Sequence, residues 1–174
     1  SDYVHGHVLV GGNTGVFAHL ATTGATDRVA PLARPVFPFL DLGSGRRWTV
    51  RPGSASLPLW LLLPGRRVPG SRLADYAALR RLVDAPRTAR LVDYVDRAAP
   101  MFERFWRPLS VAVLNTEPEE ASARLIGRVL AETVMAGPQA SLPYFPRVSL
   151  GDALIAPALA FLEQNGADVR LSRR

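Results

Sequence analysis

Residues 102–130 read FERFWRPLSVAVLNTEPEEASARLIGRVL, a pattern of two helices parted by one sharp boundary. Phe102, Trp106, Leu109 and Val113 recur at i, i+4, i+7 and i+11, which sets four large apolar groups along one helical face. Pro108 lies inside that run. It removes a backbone donor and crowds the carbonyl of Arg104, so the helix either kinks there or restarts with Pro108 in its first turn. The second helix has a start signal. Thr116, with Glu119 three residues on, forms a T-x-x-E capping box in which each side chain serves the other's orphan backbone donor. Beyond it Leu125, Ile126, Val129, Leu130 and Val134 make an apolar stripe, with Glu120, Arg124, Arg128 and Glu132 on a charged face. Stripes at this spacing read first as packed core.

N-terminal to this pair, residues 57–64 read LPLWLLLP and are followed by GRRVPGSR. That run is too short for a bilayer, which takes ~20 apolar residues. It reads either as a buried segment beneath a solvated basic loop, or as an apolar finger with arginines at its foot. In the second reading Leu57, Trp60 and Leu62 rest on anionic lipid above Arg66 and Arg67. Residues 71–83 are expected to form a helix with Leu73, Tyr76, Ala77, Leu79 and Leu82 inward, and a further helical piece covers 88–97. On that piece Asp93 and Asp96 share a face, and the sequence gives no sign of the burial an acid/base pair needs, so they read as a solvated face. Residues 34–51 alternate as a hairpin: Phe37 and Phe39 meet Trp48 and Val50 across the pair, and Gly43-Ser44-Gly45 supplies the turn.

At the start, residues 7–10 read as a short strand, and Asn13 caps a helix over 14–23 that buries Phe17 and Leu20 and stops at Gly24. His5 and His7 would share one strand face, but no third ligand lies nearby, so no metal is expected. At the end, residues 142–146 read as a proline-rich connection. Ser149 and Asp152 open a helix that Pro157 kinks or restarts, Ala158, Phe161 and Leu162 bury one face, and Asn165-Gly166 stops it before a strand at 168–172.

The totals narrow the class. A chain of 174 residues with 48% hydrophobic content can bury one ordinary core. The 15 prolines and 14 glycines favour short elements and bends over a simple bundle. Without cysteine there are no disulfides, thiol nucleophiles or thiolate metal sites, which fits a reducing cytoplasm. Ser1-Asp2-Tyr3 lacks the basic and apolar blocks of a signal peptide. The net charge is +6 and every basic residue is arginine, which suits an anionic partner and equally a biased genome. Nucleic acid is not expected, because no helix-turn-helix, zinc-finger or RNA-binding signature is present.

The strings Phe105-Trp106-Arg107-Pro108-Leu109, Ala112-Val113-Leu114-Asn115-Thr116 and Glu120-Ala121-Ser122-Ala123 resemble the middle of the squalene-associated FAD-dependent desaturases. These are the hydroxysqualene dehydroxylases of hopanoid and related triterpene synthesis, within the flavin amine oxidase/phytoene desaturase superfamily. The likeness runs over nearly the whole chain. It implies an α+β fold, a mostly helical substrate-binding domain with a small antiparallel sheet, lacking the Rossmann-like FAD-binding half. It also implies that residues 1–174 are one partial substrate-binding domain of an oxidoreductase that reductively removes the hydroxyl of hydroxysqualene to give squalene. No Gly-x-Gly-x-x-Gly fingerprint is present, and the cluster at Gly11-Gly12-Asn13-Thr14-Gly15 has the wrong spacing. FAD therefore belongs to the full-length family, and this chain alone is expected to bind it weakly and to be inert.

Carried over residue by residue, the resemblance places Phe102, Trp106, Leu109 and Val113 around an apolar isoprenoid substrate. Asn115 is either the polar group near the hydroxyl or a helix cap. His7 matches a flavin-proximal histidine, although the family's Gly-x-His spacing is displaced here to Gly6-His7. The competing class is a non-enzymatic apolar-ligand or membrane-surface module that needs a partner chain to supply the flavin domain. Self-association through apolar surface at the edges is a further expectation, in a cytoplasmic setting with peripheral contact at the inner membrane face.

Overall fold

In chain order the elements are β1 (Leu9–Val10), α1 (Thr14–Thr22), β2 (Val29–Pro31), β3 (Phe37–Leu40), β4 (Arg47–Val50), α2 (Ala77–Val83), α3 (Arg107–Leu114), α4 (Ala123–Glu132), β5 (Pro143–Pro146) and α5 (Ala156–Gln164), with short 3-10 and π turns between them. They come from a computed structural model that describes residues 8–51 and 59–170. The fold is α+β, as the sequence predicts, and every described strand pairing is antiparallel. The chain divides into two compact units, one of residues 1–34 with 142–174 and one of residues 35–141.

The first unit is built on a three-stranded sheet ordered β1-β5-β2, with Leu9 opposite Tyr144 and Ala30 opposite Phe145. Residues 143–146 are thus its central strand rather than a connection. Proline is tolerated there because Pro143 and Pro146 stand at the strand ends, where flanking amides and carbonyls complete the ladder. Gly11 N donates to Leu142 O (2.9 Å), Leu32 N to Pro143 O (2.8 Å) and Arg147 N to Arg28 O (2.8 Å). Tyr144 meets the Phe17 ring of α1 edge-on at 4.6 Å, over a small core of Leu20, Ala25 and Val29. Asn13 stands at the N-cap of α1 as expected, but its side chain makes no cap bond; its Oδ1 accepts from Val10 N at 2.8 Å instead.

Ser149 and Asp152 do open the C-terminal helix: Ser149 Oγ accepts from Asp152 N at 3.1 Å and donates to its carboxylate at 2.7 Å. The helix begins as a π turn over Gly151–Ile155 and continues as α5 with Pro157 in its first turn. Its expected inner face is not buried, since Phe161 and Leu162 are exposed. Residues 167–170 form no strand; Leu171 and Ser172 lie outside the described residues.

In the second unit β3 and β4 form the expected hairpin, with Phe37 opposite Val50 and Phe39 opposite Trp48. The Phe39 and Trp48 rings stack almost parallel at 5.6 Å. At the turn the Asp41 carboxylate accepts from Ser44 Oγ (2.5 Å) and from the amides of Gly43 (2.9 Å) and Ser44 (3.4 Å). The next helix starts as a 3-10 turn over Leu73–Tyr76 before α2. That tighter winding rotates the face, so Tyr76 and Leu82 are buried while Leu73 and Ala77, expected inward, are exposed.

Residues 88–97 carry only a single turn, Leu91–Asp93. The strand-like bonds Leu91 N to Ala121 O (2.8 Å) and Ala123 N to Ala89 O (3.0 Å) hold that segment extended against the start of α4. The N-cap of α4 is Ser122, whose Oγ accepts from Leu125 N, and not Thr116. Thr116 Oγ1 donates to Leu114 O at 2.8 Å, and the Glu119 carboxylate is drawn to arginines, because charge-assisted pairs are stronger than a neutral cap. Across α4, Gly127 lies directly against the backbone of Leu82 in α2, with Ala78, Leu82, Ala123, Ile126 and Leu130 buried in the shared core.

Candidate functional site

Pro108 decides the shape of the central helix. It has no N–H for the carbonyl four residues back, and the preceding amide, Arg107 N, reaches Phe102 O instead. The result is a π turn over Phe102–Trp106, with α3 following and Pro108 in its first turn. A π turn inserts one residue into the winding and advances everything after it by one position. The buried line accordingly runs Phe102 and Trp106, each 2% exposed, then Ser110, and not through Leu109 and Val113. Leu109 is half-buried at the edge of the core, and Val113 is 38% exposed.

The far end of α3 is fixed as firmly. Buried Ser110 Oγ donates to Thr116 O at 2.6 Å, tying the helix to the loop after it. Asn115 closes the helix in the left-handed region at φ 50° and ψ 38°, and its N donates to Val111 O at 3.0 Å. Asparagine is among the few side chains that tolerate this backbone. The Asn115 carboxamide is exposed and makes no hydrogen bond among the described residues. So α3 has an inner line held in the core, an edge of Leu109 and Val113 on one flank with exposed Val111 on the other, and an amide at its end without a hydrogen bond among the described residues.

Two networks hold that helix. Aromatic contacts run from Trp48 through Phe39 to Phe105 (6.4 Å) and on to Trp106 (5.0 Å, edge-on). On the other side the Arg107 guanidinium binds three carboxylates: Glu103 at 2.9 Å, Glu117, and Glu119 at 3.4 Å. It also lies 5.3 Å from the centre of the Phe102 ring. The hydrogen bond it donates to the Glu103 carboxylate is the main cause that holds its pKa even above the usual arginine range, so it is a permanent cation.

Trp106 and Met101 line a cavity of about 120 Å³ together with Ala78 and Tyr94, below the ~300 Å³ at which ligand pockets begin. A larger groove of about 520 Å³ lies in the other unit, between the end of α1 and α5, lined by Thr22, Thr23, Arg28, Asp152, Phe161 and Gln164. Sequence reasoning did not find it, because its walls come from segments more than a hundred residues apart. Of the lipid-facing candidates, Leu62 is 63% exposed, Arg66 is exposed and Arg67 is half-buried. His7, Leu57 and the side chain of Trp60 lie outside the described residues.

Among the described residues no group of three or more His, Cys, Asp or Glu side chains could hold a metal ion, and no helix is long and apolar enough to cross a membrane. Nor do they fit a dinucleotide. The glycine turn after β1 leads into α1, but β1 pairs antiparallel, and Thr14 N, Val16 N and Phe17 N already donate to Gly12 O, Asn13 O and Asn13 O. Three of the amides at this helix start are thus already bonded within the turn.

Three known proteins match nearly the whole chain. The hydroxysqualene dehydroxylase of Rhodopseudomonas palustris is 36% identical over 164 residues, which is 94% of this chain and 39% of the relative. Those of Sinorhizobium fredii and Zymomonas mobilis are 34% and 33% identical over 168 residues, 97% of this chain and 40% and 41% of theirs. The chain thus spans about two fifths of the length of the curated relatives it matches. No family model matches it, and no solved structure does.

Proposed function

We propose, on the premise that this chain belongs to the hydroxysqualene dehydroxylase family, that it supplies part of the substrate-binding surface of an FAD-dependent enzyme that converts hydroxysqualene to squalene. What carries the reading is the 33–36% identity, over 94–97% of the chain, to three proteins of that name. The reaction replaces a C–O bond by C–H, so it takes up two electrons and two protons and releases water. Because the described residues make no dinucleotide cradle, the flavin is assigned to other sequence of the enzyme, and this chain's share is binding and orientation.

A triterpene alcohol asks for extended apolar surface and one polar group near its hydroxyl. The edge of α3 that carries half-buried Leu109 and exposed Val113 supplies such apolar surface, and the helix ends at Asn115, whose amide makes no hydrogen bond among the described residues. In this arrangement Phe102 and Trp106 hold the surface from within the core. The test uses the whole enzyme. Val113→Asp should lower kcat/KM by about tenfold or more, since burying a Val-sized group contributes roughly 1.5 kcal/mol or more. Asn115→Gly suits the positive φ, so it should leave Tm unchanged or raised while kcat/KM falls by about tenfold through a lost hydrogen bond. Full activity in both variants, with normal flavin absorbance, would remove α3 from the substrate surface.

A second reading rests on the exposed Leu62 and Leu63 standing beside exposed Arg66. Apolar and basic groups together suit the surface of an anionic bilayer. Leu62→Asp should then abolish flotation with phosphatidylserine vesicles, and unchanged flotation would end this reading.

A further inference from the structure

We propose that the C-terminal helix of the first unit, from Ala153 to Leu162, is an inner surface against which a further part of the same enzyme packs. The inference rests on the lengths of the curated relatives, not on the reaction proposed above.

Residues 153–162 read ALIAPALAFL, an unbroken apolar run that passes through the π turn into α5. A helix that is apolar on every side belongs in an interior. This one is outside. Ala153 is buried, yet α5 itself has no buried residue. Ile155 is 59% exposed and Leu162 42%; with half-buried Leu159 they recur at i, i+4 and i+7 and form one stripe. Another side of the helix, with Ala156, Pro157, Ala160 and Phe161, faces the open groove beside α1. That groove offers little to a polar ligand. Its Thr22 and Thr23 hydroxyls donate to Ala18 O (3.0 Å) and His19 O (2.9 Å), and Asp152 is bonded to Ser149. Nor can the unit cover the helix from its own resources: its core is built on Leu20, Ala25 and Val29, and a body of under ~70 residues rarely makes a sufficient core alone.

Charge narrows what covers the helix. The charged residues of 148–169 are Asp152, Glu163 and Asp168, with no arginine, in a chain of net charge +6. Helices that lie on anionic bilayers carry cations on their polar face, so a lipid surface is a poor match. A second copy is another poor match, because two such helices packed antiparallel bring Glu163 of one to the Asp152 end of the other, like charge to like. Glu163 stands in the last turn of α5, where the helix end is already negative, and has no ion pair among the described residues. A cation from outside would suit it. The relatives are matched over 39–41% of their length, so about three fifths of each lies outside the match. A segment joined covalently meets this surface at high effective concentration and needs no large interface to stay on it. The occupant is therefore an apolar segment of the corresponding sequence of this enzyme, edged by a basic residue opposite Glu163.

The chain has no cysteine, so single cysteines report on its surface. In the whole enzyme Ile155→Cys and Leu162→Cys are each labelled with a water-soluble maleimide, and the labelled peptide is quantified by mass spectrometry. Leu42→Cys, 88% exposed in the β3–β4 turn, is the reference. Both helix positions should react more slowly than the reference by about tenfold or more, and all three should react alike in urea. If one variant fails to fold, the other carries the test. Protection that persists on about hundredfold dilution, without lipid, supports a segment of the same polypeptide. Protection lost on dilution assigns the surface to a second copy, and protection found only with phosphatidylserine vesicles assigns it to a bilayer; either result overturns the proposal. So does labelling at the helix as fast as at Leu42→Cys. The readout does not depend on turnover, so an enzyme inactive on hydroxysqualene would sink the proposed reaction and leave this result untouched.

Discussion

Replacing Gly127 by alanine adds one methyl group where α4 meets α2. A Cβ built there lies 2.1 Å from Leu82 O, 2.3 Å from Leu82 C and 2.8 Å from Val83 N. All three are backbone atoms, so no rotamer change relieves the overlap. The helices must part by about 0.9 Å before the nearest approach reaches 3.0 Å, a limit that real Cβ atoms essentially never cross. A gap of that size forfeits roughly a quarter to a half of each dispersion contact it opens, and the residues around it include Leu82, Ile126 and Leu130 at the centre of the core. We place the overpacking cost at about 3 kcal/mol, the upper part of the usual range. The higher helix propensity of alanine offsets about 1 kcal/mol of it, leaving a net loss of about 2 kcal/mol. In urea unfolding, at an m-value of about 2 kcal/mol/M, the midpoint should fall by about 1 M. Gly15→Ala, on α1 with nothing within 4 Å of the added atom, is the control and should hold or raise stability by up to about 1 kcal/mol. A midpoint for Gly127→Ala at or above the native one would mean that α2 and α4 do not touch through their backbones.

Two further outcomes follow from electrostatics. Arg107→Gln strips the shared partner from Glu103, Glu117 and Glu119 and the cation from Phe102; with the side chain about one-third exposed, solvent screening limits the loss to about 1 kcal/mol. That difference should shrink in 1 M NaCl (a Debye length of about 3 Å), and a loss that ignores salt would show that packing, not charge, carries it. The Asp41 pKa is lowered first by the Ser44 hydroxyl and then by the Gly43 and Ser44 amides. Its contribution to the hairpin is therefore present above the ordinary carboxylate value of about 3.9 and is lost as pH falls through the depressed folded value. An NMR titration of the Asp41 carboxyl should give a midpoint below that ordinary value, moving upward in Ser44→Ala; a midpoint indifferent to Ser44 would contradict the assignment.

The hairpin was legible because its signals are local: alternation on both arms and a glycine-flanked turn lie within the fourteen residues from Phe37 to Val50. The central strand was not. Its prolines read as punctuation, while its partners Leu9–Val10 and Val29–Pro31 lie more than a hundred residues earlier. The capping box at Thr116 failed on competition: the motif was present, but Arg107 and Arg97, distant in sequence, offered Glu119 a charged partner. At the site, the order of residues along α3 was readable and their facing was not, since one inserted residue in the winding moves Ser110 inward and leaves Val113 outside. Trp48 Nε1 and Arg67 Nε are buried without an acceptor among the described residues, and nothing in the sequence marks them, because satisfaction of a donor depends on what folding brings near it.

Among the described residues the π turn occurs twice, each time just before a proline in the first turn of an α-helix. Arg107 N reaches Phe102 O ahead of Pro108, and Ala156 N reaches Gly151 O ahead of Pro157. The cause is common to both. Proline cannot donate to the carbonyl four residues back, and a wider turn lets the preceding amide bond to the carbonyl five back. The consequences are also alike. In α3 the added residue leaves Val113 exposed, and in α5 the residues expected inward, Phe161 and Leu162, are exposed as well. A proline at that position thus does more than start a helix. It turns the apolar face that simple periodicity assigns to the core toward the outside, and on α3 that is the surface we assign to the triterpene.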